Sequence, residues 1–239
     1  MNNLKSFYLT GLAALAFCAQ VMAEIDLPVQ TSDKSPKEII ERYIEAIGGK
    51  GKIQEIKNVT QVMEANVQGM EMEISSTSDQ ENKRLMQQTA LNGNVMSKTV
   101  VRDGKGYISA MGQTQDLEGD QLDAVNMQMY PFPELHYEEM GFTLSSGEIS
   151  EVDGEKAYTI MISTPQGMET KEYYSMESGL KLRVSSETTG EITYGNYQET
   201  EGILFPMLMT ISNQMLPSAI EAKIITLRFN DNLDPSLFE

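Results

Sequence analysis

The chain has 239 residues, 18 Lys and Arg against 35 Asp and Glu, and a formal net charge of −17. A surface this acidic repels phosphate backbones, which excludes nucleic-acid binding as a main function. A hydrophobic content of 40% excludes global disorder, while one His, one Cys and no Trp leave little for catalysis or a transition-metal site.

The first residues read as a targeting segment. Met1 to Lys5 is a short, singly positive start, followed by an apolar run from Phe7 to Ala19. Val21 and Ala23 then supply the permitted residues of a cleavage site. Residues 1–23 are therefore expected to be a secretory signal peptide cut after Ala23, and residues 24–34 a flexible leader. Cys18 follows Leu15-Ala16-Phe17, and the large Phe17 argues against lipid attachment. The exported chain then holds no cysteine, so its hydrophobic core alone must hold the fold in an oxidising compartment.

Ser35-Pro36-Lys37-Glu38 opens a helix with an N-cap Ser, Pro at the first helical position and Glu three residues after the cap. Ile39, Ile40, Tyr43, Ile44 and Ile47 share one face, and Gly48-Gly49 ends it. Gly51 to Ile56 reads as one more short turn of helix.

From Asn58 the period falls to two. Strands are expected near 58–68, 69–79, 82–90, 94–102 and 105–115, with hairpin signals at Asn92-Gly93 and Asp103-Gly104. A helix near 118–130 carries Leu122, Val125 and Met129 on one stripe and stops at Tyr130-Pro131-Phe132-Pro133. Strands resume near 140–150, 156–163, 168–175, 180–188, 191–198, 207–215 and 219–229. The class is mainly β with few helices. The expected architecture is an unclosed antiparallel half-barrel of about 11–12 strands in a single domain, 35–239.

Chemical motifs fail on inspection. His136 has no second His for a zinc-peptidase helix, and no GxSxG elbow exists. His136 reads as structural, buried or interfacial. The acidic run Asp116, Glu118, Asp120 and Asp123 lacks the closing Glu of a calcium loop, Met127 standing there instead. It suits the start of a helix, where negative charge is favoured. Gly48-Gly49-Lys50-Gly51-Lys52 is no P-loop. No enzyme activity, metal or cofactor is expected.

Methionine stands out. Of the 17 in the chain, Met1 and Met22 fall in the leader. Met70, Met72, Met96 and Met111 sit on strands, Met127 and Met129 on the second helix. Unbranched thioethers suit either a loosely packed barrel core or a deformable apolar groove, and both readings stand at this point. On the groove reading the lipid contacts are Met70, Met72, Met96, Met111, Leu122, Val125, Met129 and Phe132. Each buried CH2 contributes about 0.8 kcal/mol, so an acyl chain could be held against a bilayer.

Several runs carry a resemblance: Lys37 to Gly49, Asp103-Gly104-Lys105-Gly106-Tyr107, Phe132 to Tyr137, Val152 to Tyr158, Tyr173 to Leu180 and Asp234 to Phe238. Together they resemble a Bacteroidetes-type exported subfamily of the outer-membrane lipoprotein-sorting carriers (LolA/LolB-like), also found appended to M16-type peptidases. The resemblance covers almost all of 35–239. It implies an unclosed antiparallel barrel with helices over an apolar cavity for acyl chains. The peptidase zinc motif has no counterpart, so kinship there brings no protease activity.

The expected function is a monomeric periplasmic carrier holding a lipid or lipoprotein acyl chain, in lipoprotein sorting or lipid transport. The alternative is a non-catalytic cell-envelope scaffold, or peptidase-associated domain, that binds protein partners and has a packed interior.

Overall fold

The structure, a computed structural model, describes residues 30–187, 190–214, 216 and 218–239. The expected signal peptide, Cys18, its cleavage point after Ala23 and leader residues 24–29 lie outside the described residues. Residues 30–34 lie against the Gly147 turn: Thr31 bridges Glu148, and the Ile149 amide donates to the Gln30 carbonyl at 2.7 Å.

Helix α1 spans Pro36–Ala46 and begins as its sequence dictates. Ser35 Oγ accepts from the Glu38 amide, and the Glu38 carboxylate accepts from the Ser35 amide at 2.8 Å. That carboxylate is held below its usual range by the Ser35 hydroxyl and amide. Gly48 and Gly49, at φ 137° and 89°, turn the chain into α2, Lys50–Gln54. A Cβ on Gly48 would stand 2.7 Å from the Gly202 carbonyl oxygen, so only glycine lets this corner close on the sheet.

Strand β1 (Asn58–Val67) starts a meander of β2 (Met70–Asp79), β3 (Arg84–Leu91), β4 (Asn94–Arg102), β5 (Lys105–Ala110) and β6 (Gln113–Leu117). Helix α3, Asp120–Met127, and a 3-10 turn, Pro133–Leu135, follow. Then come β7 (Thr143–Ser146), β8 (Ser150–Val152), β9 (Glu155–Ser163), β10 (Glu169–Ser175), β11 (Lys181–Ser186), β12 (Gly190–Thr200), β13 (Ile203–Ser212) and β14 (Ile220–Phe229). A second 3-10 turn, Pro235–Phe238, ends the described fold.

All strands join one 14-stranded antiparallel sheet, in the order β6-β5-β4-β3-β2-β1-β14-β13-β12-β11-β10-β9-β7, with β8 also on β9. The sheet curls but does not close, which is the open half-barrel expected. Its strand number exceeds the expected 11–12 for local reasons. The expected strand 105–115 is a hairpin, because Met111 and Gly112 (φ 52° and 78°) make a two-residue turn. Strand 140–150 is broken at Gly147 into β7 and β8. Strands β12 and β13 run on to meet at Glu201-Gly202 (φ 53° and 79°), with Pro206 inside β13 opposite Tyr197. The helix expected near 118–130 is shorter, Asp120–Met127.

The main core lies between the apolar face of α1 and the strands β9–β14 and β1. Ile39, Ile44, Ile47 and Ile53 pack there with Val59, Ile160, Tyr174, Ile203 and Phe229, all buried. A smaller core under α3 joins Leu85 of β3 and Val101 of β4 to Met129, flanked by Leu122, Val125 and Tyr130. The C-terminal turn packs Phe238, 1% exposed, beneath the Arg84 guanidinium, which is 4.4 Å from the ring centroid.

Candidate functional site

Helix α3 lies against β3, β4 and β5 on one side, with the β9–β10 hairpin across a cavity on the other. Gly119, at φ 52°, precedes it, and Asp120 and Asp123 fill its first turn, where negative charge complements the helix dipole. The spacing of Leu122, Val125 and Met129 places them on one side, against Leu85 and Val101. Leu122 enters the space that Gly106 of β5 leaves: a Cβ there would be 2.9 Å from Leu122 Cδ1.

The other side of α3 faces the β9–β10 hairpin and the turn before β7. Between them lies a cavity of about 360 Å³ lined by Ala124, Asn126, Met127, Tyr130, Met140, Phe142, Pro165, Gln166 and Met168, with Asp120 and Asp123 also on its wall. Met127, Met140, Tyr130 and Phe142 on its walls are half-buried, while Met168 and the two carboxylates are exposed. The volume lies at the low end of the roughly 300–1,000 Å³ usual for small-ligand pockets.

Beyond α3 the chain is anchored by a buried ionic network. Lys181 Nζ lies 2.7 Å from Glu172 Oε1 and pairs with Glu134 of the 3-10 turn. Tyr137 donates to Glu172 Oε1 at 2.8 Å, and Tyr174 donates to Glu172 Oε2. The rings of Tyr43 and Tyr174 flank the ammonium at 5.6 and 5.4 Å from their centroids. Burial pulls the Lys181 ammonium down, but the attraction of Glu134 and then Glu172 outweighs it and holds the group charged. Burial pushes the Glu134 carboxyl up against the pull of Lys181, and its Oε2 is buried without a partner. Burial, then the nearby glutamates, also raise the Tyr43, Tyr137 and Tyr174 hydroxyls well above their usual range. All members are enclosed, so the network fastens the 3-10 turn to the sheet rather than facing a ligand.

The residues expected to contact lipid fall into four places. Leu122, Val125 and Met129 come together under α3, Met129 being only 6% exposed. Phe132 is buried in the main core, edge-on to Phe205 at 6.1 Å. Met70, Met96 and Met111 are exposed beside hairpin turns, Met111 the most at 88%. Met72 is half-buried and borders a separate groove of about 890 Å³ among Glu64, Glu73, Ala90, Val95 and Lys223. The strand methionines therefore do not meet the helix stripe.

Sequence reasoning missed Tyr130, Met140, Phe142 and Met168 of the seam cavity. Met140 and Met168 each adjoin a glycine turn, Gly141 and Gly167, and that pairing was the available signal. It also missed Lys181, whose signal was a lone cation between Leu180 and Leu182. His136 is half-buried, its ring 4.5 Å from that of Tyr130 and its Nδ1 3.2 Å from Glu139 Oε2. Among the described residues no three His, Cys, Asp or Glu side chains are grouped for a metal, and no helix is long and apolar enough to cross a membrane.

No family model matches the chain, and no curated protein matches it. Solved structures do. A DUF1329 family protein from Desulfovibrio piger superposes with a TM-score of 0.57 at 12% identity, over 85% of this chain and 96% of that one. A LolA superfamily protein from Nitrosomonas europaea gives 0.56 at 11% identity, over 86% and 98%. A domain described as an outer-membrane lipoprotein-sorting protein, from Vibrio parahaemolyticus, gives 0.54 at 12%, over 85% and 97%. The shared feature is the fold: a LolA-like open half-barrel.

Proposed function

We propose that the protein is an exported, periplasmic carrier that holds one acyl chain of a lipid or lipoprotein in the cavity between α3 and the β9–β10 hairpin. The observation that carries this reading is the cavity itself, an apolar-walled space of about 360 Å³ beside a helix seated on a small core. The LolA-like fold supports it, two of the structures that share it being described as LolA superfamily and lipoprotein-sorting proteins. Burial of each CH2 contributes about 0.8 kcal/mol, so even part of an acyl chain gives useful affinity. Thioether walls adapt to that chain without a fixed shape. Leu122, Val125 and Met129 act in this reading by seating the helix that forms one wall.

A cell-envelope scaffold binding protein partners is the second reading, favoured by the close packing beneath α1, where Ile47 is 0% exposed. Binding of a fluorescent fatty-acyl probe to the wild type and to Ala124→Phe separates the two. The carrier binds the probe, and filling the cavity with the Phe ring abolishes binding without lowering the melting temperature. A wild type that ignores the probe leaves the scaffold. Binding that survives the Phe places the ligand elsewhere.

A further inference from the structure

The geometry points to a head-group preference at the seam cavity: Asp120 and Asp123 select acyl ligands bearing an ammonium group over those bearing a carboxylate or phosphate. This rests on the acyl-carrier reading of the same cavity. The cavity is lined by apolar groups, the uncharged amides of Asn126 and Gln166 and these two carboxylates, and no Lys, Arg or His lines it. Spaced three apart on α3, the aspartates lie on neighbouring positions of one face, and both are exposed. Among the described residues neither is in an ion pair, so their charge is not cancelled.

Two nearby features could offset that charge, and both fall short. The positive end of α3 amounts to about half an elementary charge, less than two carboxylates supply. His136, its ring tilted against that of Tyr130, is engaged by Glu139. Across the mouth, Pro165 and Gln166 of the hairpin are uncharged, and Glu118 just before the helix is exposed and acidic. An acyl chain lying in the apolar part thus leaves its head group beside net negative charge. An ammonium is attracted there and an anion is repelled.

The test uses three probes with the same fluorescent chain, ending in an ammonium, an uncharged amide or a carboxylate, each below its aggregation threshold. At low ionic strength the expected order is ammonium, amide, carboxylate, with about tenfold between the extremes. At about 1 M salt the order should flatten, because the screening length falls to about 3 Å. Asp120→Asn with Asp123→Asn should bring the ammonium-to-carboxylate affinity ratio down to about one, and that ratio, not the affinity of any one probe, is the readout. Three probes binding equally at low salt overturn the head-group inference and leave the carrier reading standing. No binding by any probe sinks both. A preference that persists in the double variant, or in high salt, also overturns the assignment to these two residues.

Discussion

Lys181 of β11 and Glu172 of β10, nine residues apart, meet with Nζ 2.7 Å from Oε1, and Glu134 reaches the same ammonium from the far side of the chain reversal. The 3-10 turn after α3 is thereby tied to β10 and β11, toward the β7 end of the sheet. The segment carrying Met129, Phe132 and Tyr137 cannot lift away without stranding a charge in the core. Helix α3 is thus held firmly at its C-terminal side, while its first turn is exposed.

Replacing Lys181 by Met tests that tie. The substitution keeps the volume but leaves two carboxylates buried and unmatched, which costs on the order of 3–5 kcal/mol. Urea unfolding should show a clear fall in midpoint. Adding Glu134→Gln and Glu172→Gln should recover part of the loss. A single variant as stable as the wild type would show that the network is open to water.

The buried hydroxyls and ammonium set the alkaline limit of the fold. Tyr43, Tyr137, Tyr174 and Tyr194 are raised by burial first, and Lys181 is held up by Glu134 and Glu172. The unfolded chain releases these protons near pH 10 while the folded one keeps them, so their stabilisation is present below pH 10 and lost above it. With no Trp and 10 Tyr in the chain, tyrosinate absorbance reads the transition directly. It should rise steeply and together with the loss of far-ultraviolet ellipticity. Gradual ionisation of all tyrosines near pH 10 in a folded protein would contradict the burial.

Gly106→Ala probes the seating of α3. The new methyl would stand 2.9 Å from Leu122 Cδ1, 3.1 Å from Val101 Cγ2 and 3.2 Å from Leu117 Cδ1. Overpacking of this kind costs about 1–3 kcal/mol. Leu122 sits on the smaller element, so the strain should appear as faster amide exchange over 120–127, with the α1 amides unchanged. Unaltered exchange in α3 would mean that Leu122 is not held in that gap.

What could be read from the sequence followed how local the physics was. The start of α1 needs only Ser35, Pro36 and Glu38, and all three act as their types suggest. The Asn92-Gly93 and Asp103-Gly104 turns announce themselves for the same reason. The Met111-Gly112 turn does not, because a methionine at positive φ is a costly choice that only pairing of β5 with β6 enforces. The strand expected near 207–215 begins just after Pro206, yet β13 runs through that proline, whose missing donor the sheet accommodates opposite Tyr197. The site was harder still. Its wall is assembled from α3, the turn at Met140 and the β9–β10 hairpin, which no spacing rule connects. Met70 of β2 and Met96 of β4 look like cavity residues in sequence, but both are exposed near the starts of their strands, close to the Gly69 and Gly93 turns.

The pairing of β1 with β14 has a kinetic consequence. The meander β1 to β6 can form hairpin by hairpin, each closing a short loop. Helix α1, although it comes first, packs against β9, β10, β13 and β14, which leave the ribosome last. Until then its isoleucine face has nothing to cover it. The chain should consequently stay unfolded, or half-formed and sticky, through most of its synthesis, and commit to its native state only when its final strand docks beside its first.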